Sequence, residues 1–304
     1  MDRVIVLMST YNGEKYIREQ LDSIFNQKNI AVKVVIRDDG SNDATQSILD
    51  EYKKKHNLNW YTGKNLNAAW SFMELINNAP DSNFYAFADQ DDVWDNDKLF
   101  IAVEAMKNCG TETNEKAIMY SCPTRLVDEK LNSIGNLKHN NSYTSSFAGS
   151  LIASNATGCT IVFNKKLLDY MQIYQGKNLR MHDDLAHKVC CAVGGILIRD
   201  EKPHISYRQH ENNVIGANNS LIKKWKLRLN RILISNCERS QFLSDMYIFY
   251  GDYMKVTDKN LLLKVINYRK SFLNRIKVIG NPKLKGGNIK MSINFRMAIL
   301  LGIF

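Results

Sequence analysis

Val4-Ile5-Val6-Leu7-Met8-Ser9-Thr10-Tyr11-Asn12-Gly13 sets five unbroken apolar residues against a polar turn. Such a run, bounded by turn residues, predicts a strand buried on both faces, as parallel sheets require. From Glu14 the period changes. Ile17, Leu21, Ile24 and Phe25 recur at i, i+4, i+7 and i+8, one stripe of a helix. The alternation then repeats. Val32 to Ile36 is a second strand-like run that ends at Arg37-Asp38-Asp39-Gly40-Ser41. A helix-like stretch follows, with Ala44, Ile48, Leu49 and Tyr52 on one side. A short strand near Trp60-Tyr61, a helix near Trp70 to Ile76 and a third apolar run, Phe84 to Ala88, come next. Strand alternating with helix is the grammar of a parallel α/β sheet, and in such sheets ligands bind beyond the carboxyl ends of the strands. Three strand ends here carry small polar residues, two aspartates and an acidic cluster, so polar groups converge where a site is expected.

The bulk numbers fit one large domain or two small ones. The chain has 304 residues, 44% hydrophobic and 24% charged, with only 4 prolines and 16 glycines, which argues against a disordered or repeat-built chain. No internal repeat is visible. The six cysteines form no C-x-x-C pair and no zinc spacing with histidine, so they read as reduced buried thiols of a cytoplasmic protein. Met1-Asp2-Arg3 leads straight into the first strand, without the basic and apolar regions of a signal peptide. No apolar stretch of about 18 residues predicts a spanning helix. The net charge of +10 is uneven: residues 221–304 hold 17 Lys and Arg against 4 Asp and Glu, and the rest of the chain balances at −3.

Asp89-Gln90-Asp91-Asp92 follows the third apolar run. Three carboxylates in four residues repel one another unless a cation lies between them. A hard divalent ion, Mn²⁺ or Mg²⁺, takes such oxygens and bridges them to phosphate. Read alone, the tetrapeptide is equally an acidic turn or a helix cap. Asp38-Asp39-Gly40-Ser41, read alone, is a plain turn.

Taken in order, Ser9 to Asn12, Asp38 to Thr45 and Phe87 to Trp94 resemble the family 2 glycosyltransferases with a GT-A fold. The resemblance covers about 1–220. It implies a Rossmann-like α/β fold, with a mixed, mainly parallel sheet flanked by helices. Residues 1–110 would bind the nucleotide, 111–220 the acceptor, and 221–304 would form a basic helical C-terminal region. It implies nucleotide-sugar contacts at Thr10, Tyr11, Asn12, Asp39, Asn67, Asp89 and Gln90. The metal falls on Asp91, with Asp89 and His210 beside it.

Three later segments narrow the resemblance. Asn155 to Thr160, Met181 to Ala186 and Tyr207 to Gly216 are similar to bacterial rhamnosyltransferases of capsule, O-antigen or cell-wall polysaccharide synthesis. They imply acceptor contacts at Gly158, Cys159, His182 and Asp184, diphosphate contacts at Arg208 and His210, and Asp183 as base. Inverting transfer needs such a base for the acceptor hydroxyl and charge stabilisation on the departing diphosphate. The implied activity is transfer of L-rhamnose from dTDP-β-L-rhamnose to a lipid-linked glycan. A UDP-hexose donor on the same fold, or a non-catalytic membrane-associated assembly protein, stand as alternatives. A sugar-1-phosphate nucleotidyltransferase is disfavoured, because the first turn lacks a glycine-rich phosphate loop. The family has glycine where this chain has Asn67, and an aromatic where it has Asp184. Asn enters the left-handed region more readily than most residues, and Asp184 sets a second carboxylate beside the base.

Leu221 to Leu233 reads as a basic amphipathic helix, with Trp225, Leu229, Ile232 and Leu233 on one face and Lys224, Arg228 and Arg231 on another. With the apolar run Met297 to Phe304 it predicts peripheral contact with the inner face of the cell membrane. No zinc finger, RNA-binding signature or helix-turn-helix is present, so nucleic acid is not an expected partner.

Overall fold

The computed structural model describes residues 1–110, 115–137, 145–154, 156–210 and 238–304. Asn155, the segment 211–216, Cys237 and the amphipathic stretch 221–233 lie outside the described residues.

Seven strands form the central sheet. In chain order they are β1 (Arg3–Thr10), β2 (Ala31–Asp38), β3 (Leu58–Thr62), β4 (Phe84–Ala88), β6 (Ile118–Ser121), β9 (Val162–Asn164) and β10 (Ile196–Arg199), and their spatial order is β10-β6-β9-β4-β1-β2-β3. Every pairing is parallel except those of β9, which runs antiparallel to both β4 and β6. A smaller sheet, ordered β5-β11-β7-β8, is built from β5 (Val93–Trp94), β7 (Thr124–Val127), β8 (Ser133–Leu137) and β11 (Ile205–Arg208).

The apolar runs of β1 and β4 are buried along their whole length because each feeds two cores. Side chains alternate across a strand. Ile5, Leu7, Tyr85 and Phe87 face one core, and Val4, Val6, Met8, Phe84, Ala86 and Ala88 face the other. Helices α1 (Ile17–Phe25), α2 (Thr45–Lys55) and α4 (Lys98–Lys107) cover the second face. The first is covered by α3 (Asn67–Asn77), the short α5 (Phe147–Ser150), α6 (Lys165–Gln172) and α7 (His182–Ala192). The α1 stripe is as the sequence predicts, with Ile17, Leu21 and Ile24 buried. On α2 the inward set is Thr45, Ile48, Leu49 and Tyr52, and Ala44 stays exposed before the helix starts.

The C-terminal elements are helical: α8 (Glu238–Tyr250), α9 (Val256–Ile266), α10 (Phe272–Ile279) and α11 (Ile289–Leu301). They share a core with the sheet, since Phe242, Met246, Leu262, Phe295 and Phe304 belong to the same apolar cluster as Ile5 and Phe87. Among the described residues no helix is long and apolar enough to cross a membrane.

The register fixes the site. Thr10 pairs with Asp38 and Met8 with Ala88, so the polar ends of β1, β2 and β4 lie side by side. Because β9 is reversed, its leading turn, Gly158–Thr160, arrives at the same edge. Antiparallel pairing of β11 with β5 brings Tyr207 and Arg208 up to the acidic turn.

Candidate functional site

A cavity of about 730 Å³ opens at this edge, lined by Thr10, Tyr11, Asn12, Asp39, Asn67, Asp89, Gln90, Asp91, Gly158, His182, Asp183 and His210 among others. Twelve residues from seven segments of chain thus meet at one place.

The floor is braced from within. Gln90 Oε1 accepts from Thr10 Oγ1 at 2.5 Å and from the Tyr11 N–H at 2.8 Å, and its Nε2 donates to Tyr11 O at 3.1 Å. A single amide therefore ties the acidic turn to the first loop. Asn12 stands at φ 48° and accepts from the Asn42 N–H at 2.9 Å. The two aspartates after β2 divide their work. Asp38 is saturated internally, accepting from the Ser41 N–H (3.0 Å), Gln46 Nε2 (2.9 Å) and Thr62 Oγ1 (3.0 Å). Asp39 pairs with the buried Arg37 and accepts from the Leu66 N–H at 3.0 Å, yet still reaches the cavity wall. Asn67 adopts φ 65°, and its Oδ1 accepts from the Ala69 N–H at 3.1 Å, which caps α3. A residue in the left-handed region is needed there, and Asn meets the need with a cap that glycine lacks.

The acidic turn is crowded. Burial, then the charges of Asp91 and Asp183, push Asp89 up to about 7. Asp92 is raised well above the usual carboxylate range by burial and by Asp91 and Asp89. It lies behind the cavity, accepts from the Arg208 N–H at 3.2 Å, and is hydrogen-bonded by the Cys159 thiol. Lys98, wholly buried, sits 3.3 Å above the Trp94 ring, and burial lowers it to about 8. Asp91 faces the cavity, with His210 Nε2 at 2.7 Å from its Oδ2.

Two donor sets at the acidic turn offer themselves to a cation. Asp89, Asp92 and Cys159 have ligand atoms within 4.8 Å of one another. The Cys159 thiol is raised well above its ordinary value by burial and by the two carboxylates, so it holds its proton, and a thiol is a poor partner for a hard ion. Asp89, Asp91 and His210 line the open cavity and offer oxygens and an imidazole nitrogen, which suits Mn²⁺ or Mg²⁺ better.

Asp183 lies in the first turn of α7, and its Oδ1 accepts from the Asp184 N–H at 2.7 Å. Burial, then the Asp184 charge, lifts it to about 6. Asp184 points away from the cavity and pairs with the buried Lys188. Burial alone would raise Asp184, but the Lys188 ammonium outweighs it and holds the carboxyl below its usual value. The neighbours are thus driven apart, one ionised and structural, one poised near neutrality. His182 is stacked on Phe72 at 3.7 Å and edge-on to Phe87 at 4.7 Å, and burial lowers its pKa to about 3. It is a neutral imidazole, and neither ring nitrogen has a hydrogen-bond partner among the described residues.

Cys159 and Arg208 do not line the cavity. The Arg208 guanidinium is buried against the Tyr16 ring at 4.5 Å, donates to Asp91 O at 2.8 Å, and bonds Glu129 O and Glu19. It is a strut between β11, α1 and the acidic turn. Tyr16, Lys15, Glu129 and Tyr207 also line the cavity. Tyr207 opens a segment that carries the resemblance but has no role assigned by it, and Glu129 lies in a turn that carries no periodic signal.

Residues 5–170 match the family model described as glycosyl transferase family 2. The chain is 32% identical over 235 residues to the dTDP-rhamnosyl transferase RfbG of Shigella flexneri, covering 72% of this chain and 77% of that one. It is 24% identical over 263 residues to RP339 of Rickettsia prowazekii, an uncharacterized glycosyltransferase, covering 81% and 79%. The fold is similar to the crystal structure of S. aureus TarS 1–349 in complex with UDP-GlcNAc, at a TM-score of 0.57 and 18% identity, covering 99% of this chain and 91% of that one.

Proposed function

The chain belongs to glycosyl transferase family 2, and from that premise we propose that it transfers L-rhamnose, with inversion, from dTDP-β-L-rhamnose to a lipid-linked glycan. The single observation that carries the donor assignment is the 32% identity to a dTDP-rhamnosyl transferase over most of both chains.

The cavity supports a division of labour. Thr10, Tyr11, Asn12, Asp39 and Asn67 would hold the nucleoside at the ends of β1 and β2. Asp39 is paired with Arg37, and its carboxylate on the cavity wall offers an acceptor to a pyrimidine N–H. Asp91, Asp89 and His210 would hold Mn²⁺ or Mg²⁺, which when bound supplies positive charge to the diphosphate. Asp183, poised at about 6, would take the proton of the acceptor hydroxyl, and near neutral pH it is ionised often enough to do so. Gly158 and His182 would shape the wall on the acceptor side, while Cys159, Asp184 and Arg208 act from behind it. The basic residues of 221–304 would hold the enzyme on an anionic membrane surface, where a lipid-linked acceptor resides.

The test is release of dTDP from dTDP-β-L-rhamnose in the presence of Mn²⁺ or Mg²⁺ and a lipid-linked acceptor. Release that is unchanged in Asp91→Ala or Asp183→Ala refutes the assignment of roles.

A further inference from the structure

Helix α11 is apolar on two opposite sides. Phe295 and Ile299 face the core, whereas Ile289 (80% exposed), Ile293 (53%), Met297 and Leu301 face outward. At 100° per residue the outward set forms one stripe across the helix from the buried pair. A helix that is apolar on both sides is normally enclosed, and this one leaves Ile289, Ile293 and Leu301 exposed.

Helix α10, packed on α11, carries an exposed apolar side of its own. Phe272 (65% exposed), Leu273 (69%) and Ile276 share one side of it. Arg275, within one turn of all three, donates to Leu300 O at 2.9 Å and so sets them beside the C-terminal end of α11. Single exposed apolar residues are ordinary, but a surface built from two packed helices is not. The plate is firmly mounted. Tyr268 OH donates to Phe304 O and accepts from the Phe304 N–H, both at 2.9 Å, and Phe304 packs edge-on against Phe295 at 5.0 Å.

The charges around the plate select its occupant. After Asp258 the sequence has ten Lys and Arg and not one Asp or Glu. Lys277, Lys290 and Arg296 stand on α10 and α11 themselves and are exposed. A second copy of the chain docking through this face would set cations against cations. An anionic phospholipid surface satisfies both halves of the pattern: the apolar side chains enter the acyl boundary, and the cations reach the headgroups.

We infer that α10 and α11 form a membrane-inserting plate, with Phe272, Leu273, Ile289, Ile293 and Leu301 entering the outer part of an anionic leaflet. The contact is interfacial. The purpose of that contact rests on the lipid-linked acceptor proposed above. Helix α8 packs on α7, the helix that carries Asp183, and α9 packs on both α8 and α10, so two helices lie between the plate and the catalytic wall.

The test uses the full chain and vesicles of phosphatidylcholine with or without about one-third phosphatidylglycerol. Co-sedimentation is expected with the anionic vesicles only, weakening as salt rises. The exposed triple variant Ile289→Gln/Ile293→Gln/Leu301→Gln is expected to partition about tenfold less or weaker still, with an unchanged melting temperature. Lys290→Gln/Arg296→Gln is expected to lose the preference for anionic lipid. Equal binding to neutral vesicles, undiminished binding of the triple variant, or a dimer abolished by that variant without vesicle binding would each overturn the inference. Donor-dependent thermal stabilisation of the same samples reads the transferase assignment separately. Its absence beside intact sedimentation rejects that assignment and leaves the plate standing.

Discussion

Asp91 Oδ2 and His210 Nε2 meet at 2.7 Å across 119 residues of sequence. Strand β4 delivers the first and β11 the second. The His210 ring lies against Tyr16 at 5.1 Å, and the backbone of Asp91 is held by Arg208. Tyr16 braces the His210 ring from the cavity wall and Arg208 holds the turn from behind it, so the pair is preorganised for a ligand between or beside them.

Asp91→Ala should remove the stabilisation that Mn²⁺ or Mg²⁺ gives the wild type. An ion at about 100 times its dissociation constant stabilises by about 2.7 kcal/mol, which differential scanning fluorimetry reads as a shift in melting temperature. Turnover should fall on the order of 10²- to 10³-fold. Full metal response in the variant would move the site elsewhere, to Asp92 and Cys159 in the first instance.

The metal response should depend on pH. Asp89 is raised to about 7 and Asp92 well above its ordinary value. A carboxyl whose folded pKa exceeds its unfolded one stabilises the fold at low pH, and that contribution is lost as pH rises through the folded value. The metal-free protein should therefore lose stability progressively as the pH rises from the ordinary carboxyl value of 3.8 towards about 7. A divalent ion binds the deprotonated site, so the metal-induced rise in melting temperature should be larger at pH 8 than at pH 6. An increment that is flat across this range would contradict the account.

Asp183→Asn should separate stability from activity. The wild-type carboxyl, lifted to about 6 from an ordinary 3.8, destabilises the fold above that pH. The amide keeps the acceptor for the Asp184 N–H and carries no charge. Denaturant melts at pH 8 should show a gain of about 1–3 kcal/mol, while turnover falls by about 10²- to 10⁴-fold. The wild-type rate should decline as pH drops through about 6. Loss of both stability and activity would mean that Asp183 serves the fold.

Gly158 is required for space. A Cβ built on it would lie 2.7 Å from His182 Nε2, and Phe72 and Phe87 hold that ring on two further sides. Gly158→Ala should cost about 1–3 kcal/mol by overpacking and raise KM for the acceptor. Unchanged unfolding and KM would show that the imidazole yields freely.

The sequence made the first half of this site readable because β1 and β4 are unbroken apolar runs that stop at polar turns. Their carboxyl ends had to lie together in a parallel sheet, which puts Thr10, Asp39 and Asp89 in one place. Residues 115–210 gave less. Strands β6, β9, β10 and β11 have three or four residues, too few to show a period, and nothing in Val162–Asn164 announces that it runs backwards. The reversal of β9 is what delivers Gly158. Apart from the resemblance, which names Asp39 alone, nothing in the sequence separates Asp38 from Asp39; their partners Thr62 and Arg37 distinguish them. Nothing in the sequence marks Lys98 for burial. Its burial under the acidic turn depends on Trp94, whose ring takes the place of water. The two-sided apolar character of α11 is written in the sequence, but which side meets solvent is decided by Phe295 and Ile299.

Donor selection in the presence of Mn²⁺ tests the central claim most directly. Calorimetric titration should show dTDP-β-L-rhamnose binding more tightly than UDP-glucose, UDP-galactose or UDP-GlcNAc, with the binding lost on removal of the ion or in Asp91→Ala. Tighter, metal-dependent binding of a UDP sugar would contradict the rhamnosyl assignment, and binding indifferent to both metal and Asp91 would contradict the site itself.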